Sequence, residues 1–497
     1  MSPHDDVAAA PRAPGAELVV DLESPLPASL PAGSATAVFC SGTCFHRDAA
    51  VARLEIVVDG AHRHRPDAFG MPRPDLLRAL GDPRAYRSGF WSTVPIEARN
   101  RPGTIELQLS ARLDSGVEQV ADLGRIEVVE PQAAPAYDGP PDPSGRGLIA
   151  ICMATFEPDI DLFREQVDSL RAQTDDRWLC LISDDCSRPE HFDRLREVVG
   201  TDPRFAVSRS EERLGFYGNF ERALRLAPAG VELLALCDQD DRWHPEKLEV
   251  LRKALGTAQL VYSDQRLVDA DGRVLRETLW KGRRNNHTNL ASLLVANTIT
   301  GAATLFRREV AELALPFPET PGFRFHDHWL GLVALASGDV AYVNRPLYDY
   351  VQHAGAIFGD VTQGAGPSRR PRREFSVEWR AAYFYGYLAR KTLARTLLLR
   401  GSARLTARKR RALERFVAAD RSPVAFAWLA LRPLRSLLGR TETLASEVQL
   451  AQGIVWRWVI GIAARRWRAP GRHMLDASCP APSSFSQKRL RRWRARV

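Results

Sequence analysis

The stretch LALCDQDDRWHPEKLEVL, residues 234–251, decides how the chain is read. An apolar run with the texture of a buried strand stops at Cys237, and Asp238, Asp240 and Asp241 crowd the positions that follow. A helical pattern comes next, with Pro245 at its first turn. Carboxylates this close repel one another strongly when partly buried. An isolated Asp-x-Asp is commonly a solvated turn with a capping aspartate, so the surroundings determine its meaning.

Working upstream, LIAICMATFE from Leu148 is a continuous apolar run ending in polar residues. DIDLFREQVDSLRAQT follows, with Leu162, Val167 and Leu170 on one helical face. RWLCLISDDCS, RFAVSRSEE and VELLALCDQDD read as further strands, separated by the helical patterns PEHFDRLREVVG and FYGNFERALRLA. Strands alternating with helices predict a Rossmann-like α/β domain on a mostly parallel sheet, covered on both faces. Ligands of such sheets bind beyond the carboxyl ends of the strands. The polar tails Thr155–Glu157, Asp184–Asp185 and Asp238–Asp241 are therefore expected at one rim.

The flanks differ in texture. Residues 1–16 read as a disordered leader, and 17–130 carry short β-type runs broken by turn residues, the pattern of an all-β sandwich. Residues 131–147 have the proline and glycine density of a linker, 148–365 form the α/β domain, and 366–497 are an Arg-rich helical C-terminal region. From Gly366 onward there are 27 Arg and 3 Lys against 7 acids, so most of the 60 acids lie in the preceding body, which is net acidic. A basic tail on an acidic body points to an anionic partner. VEWRAAYFYGYLARKTLARTLLL and GIVWRWVIGIAARRWR combine apolar and cationic faces as interfacial helices do. Trp456, Trp458, Val459, Ile460 and Ile462 are expected at a headgroup boundary, with Arg457, Arg465 and Arg466 toward phosphates. The alternative is an ordinary helical cap with solvated arginines. KRLRRWRARV resembles a nucleic-acid-binding tail by composition alone, and no nucleic-acid fold accompanies it.

The totals exclude several classes. At 497 residues, 45% hydrophobic and 26% charged, the chain can bury a sizeable core. No run reaches the roughly 18 apolar residues of a spanning helix. MSPHDDVAAAPRAPGAE has early acids and no apolar h-region, so no signal peptide is expected. Seven cysteines without paired short spacings predict neither a disulfide framework nor a zinc site, and Cys40 and Cys44 of CSGTC lack a second ligand pair. A cytoplasmic location is the default expectation.

Seven segments occur in order: ICMATFEP, SDDCS, LGFYGNFERAL, ALCDQDDRWHPEKL, VYSDQRLVDADGRVL, NTITGAATLFRRE and FRFHDHWLGLVALASGDVAYVNRPLYDYVQH. Together they resemble the family 2 glycosyltransferases of GT-A fold, most closely rhamnosyltransferase-like bacterial members, over about Leu148 to Gly359. The resemblance implies that Ala154, Thr155, Phe156 and Glu157 meet the nucleotide, with Phe156 against the base. It implies that Asp185 hydrogen-bonds the base, with Asp184 flanking it. Asp238 and Gln239 fall at the sugar-nucleotide, and Asp240, with Asp238 beside it, at a divalent cation, Mg²⁺ or Mn²⁺. Asp241 competes with Asp240 as the direct ligand. His353 matches a histidine near the diphosphate or metal, or is a hydrogen-bonded loop residue; Ala354 stands where a glycine is usual. Arg213 stands where the family often has Asn, within reach of a phosphate. Asp327 matches the base that accepts the acceptor hydroxyl's proton; a helix N-cap role is the alternative. Trp243 and Trp329 either line the acceptor or donor pocket or pack in the core.

The resemblance thus implies an inverting, metal-dependent transfer of a sugar from a nucleotide diphosphate to a glycan or lipid-linked saccharide, in cell-surface polysaccharide synthesis. dTDP-rhamnose is the favoured donor and a UDP-sugar the alternative. The enzyme is expected at the inner face of the cell membrane, held peripherally through the basic C-terminal region. Two other classes compete: a nucleotidyltransferase, disfavoured because MATFEPDIDL lacks a phosphate-cradling glycine, and a non-catalytic scaffold, disfavoured because the acids are present.

Overall fold

The computed structural model describes residues 18–131, 133–136, 147–280, 285–322, 324–353, 375–439 and 442–466. The leader, most of the linker, Ala354, residues 366–374 and the terminal KRLRRWRARV lie outside the described residues.

The strand Ile149–Thr155 runs through the centre of the large α/β sheet, parallel to Trp178–Asp184 on one side and to Leu233–Cys237 on the other. Phe205–Arg209 extends the parallel half outward. Helices on both faces bury the central strand, which is why its residues are apolar without alternation. Register pairs Thr155 with Asp184 and Met153 with Cys237, so the three strands end together. Beyond Leu233–Cys237 the sheet becomes mixed: Thr304–Arg307 runs antiparallel to it and to Leu260–Asp269, and Val340–Gln352 runs parallel to Leu260–Asp269. A parallel half is thus joined to a mixed half, an order compatible with the GT-A fold that the resemblance implies. The helix Ile160–Arg171 starts where Asp159 accepts hydrogen bonds from Asp161 and Leu162 N–H. Pro245 differs from expectation: it lies in the turn before the helix Lys247–Leu255 rather than in its first turn.

The N-terminal region packs two sheets over one core. One sheet orders Leu18–Leu22, Thr36–His46, Gly89–Ile96 and Ala68–Met71; the other holds Ser29–Pro31, Glu118–Val129, Gly103–Leu113, Val51–Val58 and His62–His64. A short helix, Pro74–Leu80, interrupts the otherwise β-type pattern. Cys40 and Cys44 are buried in this core as free thiols, and burial pushes both up to about 12, which suits packing rather than ligation.

The C-terminal helices correct the interfacial expectation at several residues. Thr36–His46 is buried on both faces because the helix Ala389–Arg400 covers its outer side, with Ala37 N–H donating to Thr396 Oγ1 at 3.1 Å. Trp91 Nε1 donates to Tyr383 OH at 3.1 Å, and Tyr383 and Tyr387 are fully buried. Arg400 donates to the carbonyls of Ala35, Ala314 and Pro316, joining the β region to the α/β region. At the centre of this junction Lys391 lies 3.0 Å from Asp67 and 2.6 Å from Asp420, all three fully buried. Burial alone would raise the Asp67 carboxyl; Lys391, Arg395 and Arg421 more than offset it and hold it below the usual range. Trp456 is buried against Tyr383 and Phe384, and Arg457 donates to main-chain oxygens of Asp67 and Asp420. Trp456 and Arg457 therefore face inward, and Val459 and Ile462 stay exposed. Gly453 is required here, since a Cβ would lie 2.5 Å from Tyr383 N.

Candidate active site

The rim where Ile149–Thr155, Trp178–Asp184 and Leu233–Cys237 end gathers most of the expected residues. Main chain enters the left-handed region at Glu157 (φ 44°) and Cys186 (φ 60°), just past two of those strands. Glu157 is clamped by Arg188, which donates to both carboxylate oxygens, and that pairing lowers its carboxyl to about 2. Asp184 is wholly buried and accepts from Ser187 N–H, Ser187 Oγ and Thr155 Oγ1. It fastens the two loops together. Asp185 accepts from Leu214 N–H at 2.6 Å and Gly215 N–H at 2.9 Å, so both its oxygens hold the turn that opens the helix Gly215–Leu226. Ala154, beside Ser183 in register, lies partly buried against the core.

Phe156 and Gln239 exchange hydrogen bonds, Phe156 N–H to Oε1 at 2.8 Å and Nε2 to Phe156 O at 3.3 Å. The Arg213 guanidinium stacks 3.8 Å from the centre of the Phe156 ring. Arg213 therefore adjoins the expected base contact.

The three acids part ways in the fold. Asp240 is partly exposed at the rim, where His353 Nε2 lies 2.8 Å from its Oδ2. That hydrogen bond raises the His353 imidazole. Asp241 is fully buried; its Oδ1 accepts from Val351 N–H at 3.4 Å and its Oδ2 has no hydrogen-bond partner among the described residues. Burial, then Asp238 and Asp240, push Asp241 up. Asp238 is raised by burial and by the charges of Asp240 and Asp327, with Lys247 opposing.

Lys247 has no place in the expected site, yet it lies beneath these acids. Its ammonium is fully buried, donates to Ala302 O at 2.5 Å and lies 3.3 Å from the Trp243 ring centre. Burial lowers it to about 7, against the pull of Cys237, Asp241 and Asp238. A lysine next to an acidic run, on the apolar stripe of KLEVL, is the sequence signal that could have marked it.

Asp327 sits at the start of the helix His326–Ser337. It does not cap that helix, whose cap position is Phe325. Its Oδ1 accepts from Asn297 Nδ2 at 3.1 Å and from His328 N–H. Burial raises the carboxyl to about 7, although hydrogen bonds from His328, Gly301 and Asn297 pull the other way. Asn297 lies in NTITGAATL and had no role in the sequence reading.

Both tryptophans are corrected away from ligand contact. Trp329 is 0% exposed and donates Nε1 to Ala314 O at 2.9 Å, deep in the core. Trp243, 3% exposed, forms the apolar floor under Lys247. Neither ring is free to stack on a sugar. A cavity of about 1520 Å³ flanks the helix Gly215–Leu226 and meets this rim at Leu214 and Gly215, not at the acids.

No three His, Cys, Asp or Glu side chains form a ready metal cage among the described residues. Asp240 with His353 gives a carboxylate and an imidazole at an accessible edge, and Asp241 Oδ2 is a buried acceptor left unpaired. Such a set fits an ion that takes most of its ligands from phosphate and water.

Residues 150–313 match the family described as glycosyl transferase family 2. Uncharacterized protein y4gI of Sinorhizobium fredii is 29% identical over 122 residues, 24% of this chain. That match spans 13% of the relative's own length. Among solved structures, S. aureus TarS 1-349 in complex with UDP-GlcNAc is similar at 15% identity, TM-score 0.40, over 64% of this chain and 91% of its own. A mannosyltransferase from Pyrobaculum calidifontis in complex with GDP-Man and Mn²⁺ is similar at 19% identity, TM-score 0.34, over 67% and 90%.

Proposed function

From the match of residues 150–313 to glycosyl transferase family 2 we propose that this region is a GT-A-type domain carrying out an inverting, metal-dependent transfer of a sugar from a nucleotide diphosphate to a hydroxyl of a glycan or lipid-linked saccharide. The observation that carries this reading is the acidic rim itself: within the stretch that matches glycosyl transferase family 2, Asp240 stands just past the strand Leu233–Cys237 with His353 Nε2 2.8 Å from its Oδ2, a carboxylate and an imidazole suited to a cation-bound diphosphate.

In this reading Asp327 accepts the acceptor hydroxyl's proton as that oxygen attacks the anomeric carbon and the bond to the diphosphate oxygen breaks. A carboxyl raised to about 7 is well matched to proton transfer near neutral pH. Asn297 orients it. Asp240 and His353 are the side chains proposed to hold a divalent cation, Mg²⁺ or Mn²⁺, with Asp238 turned to the sugar and ribose. When bound, the cation would neutralise charge on the leaving diphosphate. Asp241 is assigned a supporting role, since its full burial favours Asp240 as the ligand. Phe156, Arg213 and the loop held by Asp185 are proposed to line the nucleotide.

No described helix is long and apolar enough to cross a membrane. The proposed acceptor lies at the inner face of the cell membrane, with the C-terminal region meeting an anionic surface. Purified protein screened against dTDP-rhamnose, UDP-sugars and GDP-mannose, with released nucleotide as the readout, tests the activity. Acceptor-dependent release that needs a divalent cation and is lost in Asp327→Asn is the expected result. Release indifferent to both would refute it.

A further inference from the structure

The most exposed large apolar side chains of the described structure cluster on the helix Pro423–Ala430 and the tight turn of helix Arg432–Leu438. Val424 and Leu437 are each 81% exposed and Leu438 is 74% exposed, with Leu431 and Leu434 also more than half exposed. The sequence PVAFAWLALRPLRSLL supplies these residues without an acid among them. Water-facing leucines in such density mark a docking face rather than ordinary surface.

Beside this face lies a basic cleft of about 560 Å³, lined by Arg408, Lys409, Arg411, Arg415, Trp428 and Arg432. Arg408, Arg411 and Arg415 are exposed and make no ion pair among the described residues. From Arg404 to Arg435 the sequence holds eight Arg and one Lys against Glu414 and Asp420, and Asp420 is already bound to Lys391. Apolar side chains to insert and guanidinium groups beside them to meet phosphate are the two parts of an interfacial anchor.

We propose that this face, Val424 to Leu438 with the adjoining arginine cleft, docks the protein on an anionic phospholipid bilayer. The leucines enter the headgroup layer and Arg408, Arg411 and Arg415 contact lipid phosphates. The inference rests on the membrane component of the proposed function and assigns it a surface other than the Trp456–Ile462 segment. It also links the bilayer to the site. Arg432 and Arg435 donate to Ser292 Oγ at 3.0 and 2.9 Å, and the next residue's carbonyl, Leu293 O, pairs with His328 Nε2 at 2.8 Å. His328 follows Asp327. The docked face is thus connected through the short helix Leu290–Val295 to the residue that follows Asp327.

The test is flotation of the full chain with phosphatidylcholine vesicles, with and without phosphatidylglycerol, at low and high salt, beside the variant L437D/L438D. Wild type is expected to float with phosphatidylglycerol vesicles at low salt and to be released by high salt. The variant should partition at least about tenfold less, with unchanged thermal unfolding and unchanged nucleotide release on a soluble acceptor. Hydrogen exchange of wild type should slow over 424–438 when vesicles are added, a readout that needs no variant. Equal flotation of variant and wild type would overturn this surface while leaving membrane association through another segment. Absence of wild-type flotation would overturn both, and nucleotide release would still report separately on the transferase reading. Slow exchange over 424–438 without vesicles, or a dimer that the variant dissociates, would show the face covered by this chain's own terminus or by a second copy, and would overturn the proposal.

Discussion

His353 Nε2 lies 2.8 Å from Asp240 Oδ2, joining the end of the strand Val340–Gln352 to the acidic run more than a hundred residues earlier. The contact separates Asp240, at the rim, from Asp241, sealed beneath it. His353→Ala should raise the divalent-cation concentration needed for half-maximal nucleotide release by tenfold or more, an effect of the size usual for groups that hold or orient a metal (about 10–100-fold). Asp241→Asn should change that requirement far less. Cation titrations of the two variants compare them, and an unchanged requirement in His353→Ala would remove it from the ligand set.

Asp327 must be ionised to accept a proton, and its carboxyl is raised to about 7. The rate kcat/KM should therefore fall as pH drops below neutrality. Asp327→Asn should lower kcat by about 10²–10⁴-fold with donor binding nearly intact. Asn297→Ala removes a hydrogen bond that favours the ionised form, so its acid limb should move to higher pH. A pH–rate profile identical to wild type would show that Asn297 does not act on the base.

Asp185 holds two main-chain N–H groups at once. Asn at this position can accept from one and must turn an NH₂ toward the other. Asp185→Asn should cost roughly 1–3 kcal/mol of stability at the turn and raise the donor KM more than it lowers kcat. Steady-state kinetics with thermal unfolding resolve the two effects; a change in kcat alone would contradict the assignment to the nucleotide side.

Asp67 binds the buried Lys391 and is flanked by Arg395 and Arg421. Asp67→Ala strands these cations and should cost roughly 3–5 kcal/mol. Its folded carboxyl is held below the usual range, so its stabilising contribution is complete above the ordinary Asp value, roughly pH 4, and is lost as pH falls toward the lowered folded value. Chemical denaturation of wild type and Asp67→Ala at pH 7 and pH 3 should show a gap that narrows in acid. A constant gap would contradict the ionic origin.

The parallel half of the fold was legible in the sequence because LIAICMAT, RWLCLIS and VELLALC are buried on both faces and admit no alternation. Once parallel order is granted, their polar ends must share a rim. The C-terminal region was less legible. An arginine beside aromatics reads the same whether it meets lipid phosphate or a buried aspartate, and Lys391 and Arg395 both reach Asp67, over three hundred residues away. For Trp243 and Trp329 the sequence left pocket and core both open for a similar reason: adjacency to acids in sequence does not say on which side of the strand or helix a ring lies. Lys247 and Asn297 went unassigned because their roles appear only when separate segments meet, at Ala302 and at Asp327.

Crystals soaked with a nucleoside diphosphate and Mn²⁺, measured at the manganese absorption edge, test the central claim most directly. The account predicts an anomalous peak bonded to Asp240 and to the diphosphate, with Asp327 facing the anomeric position. A diphosphate bound away from residues 238–241, or a nucleotide held there with no metal and with full turnover after chelation, would contradict it.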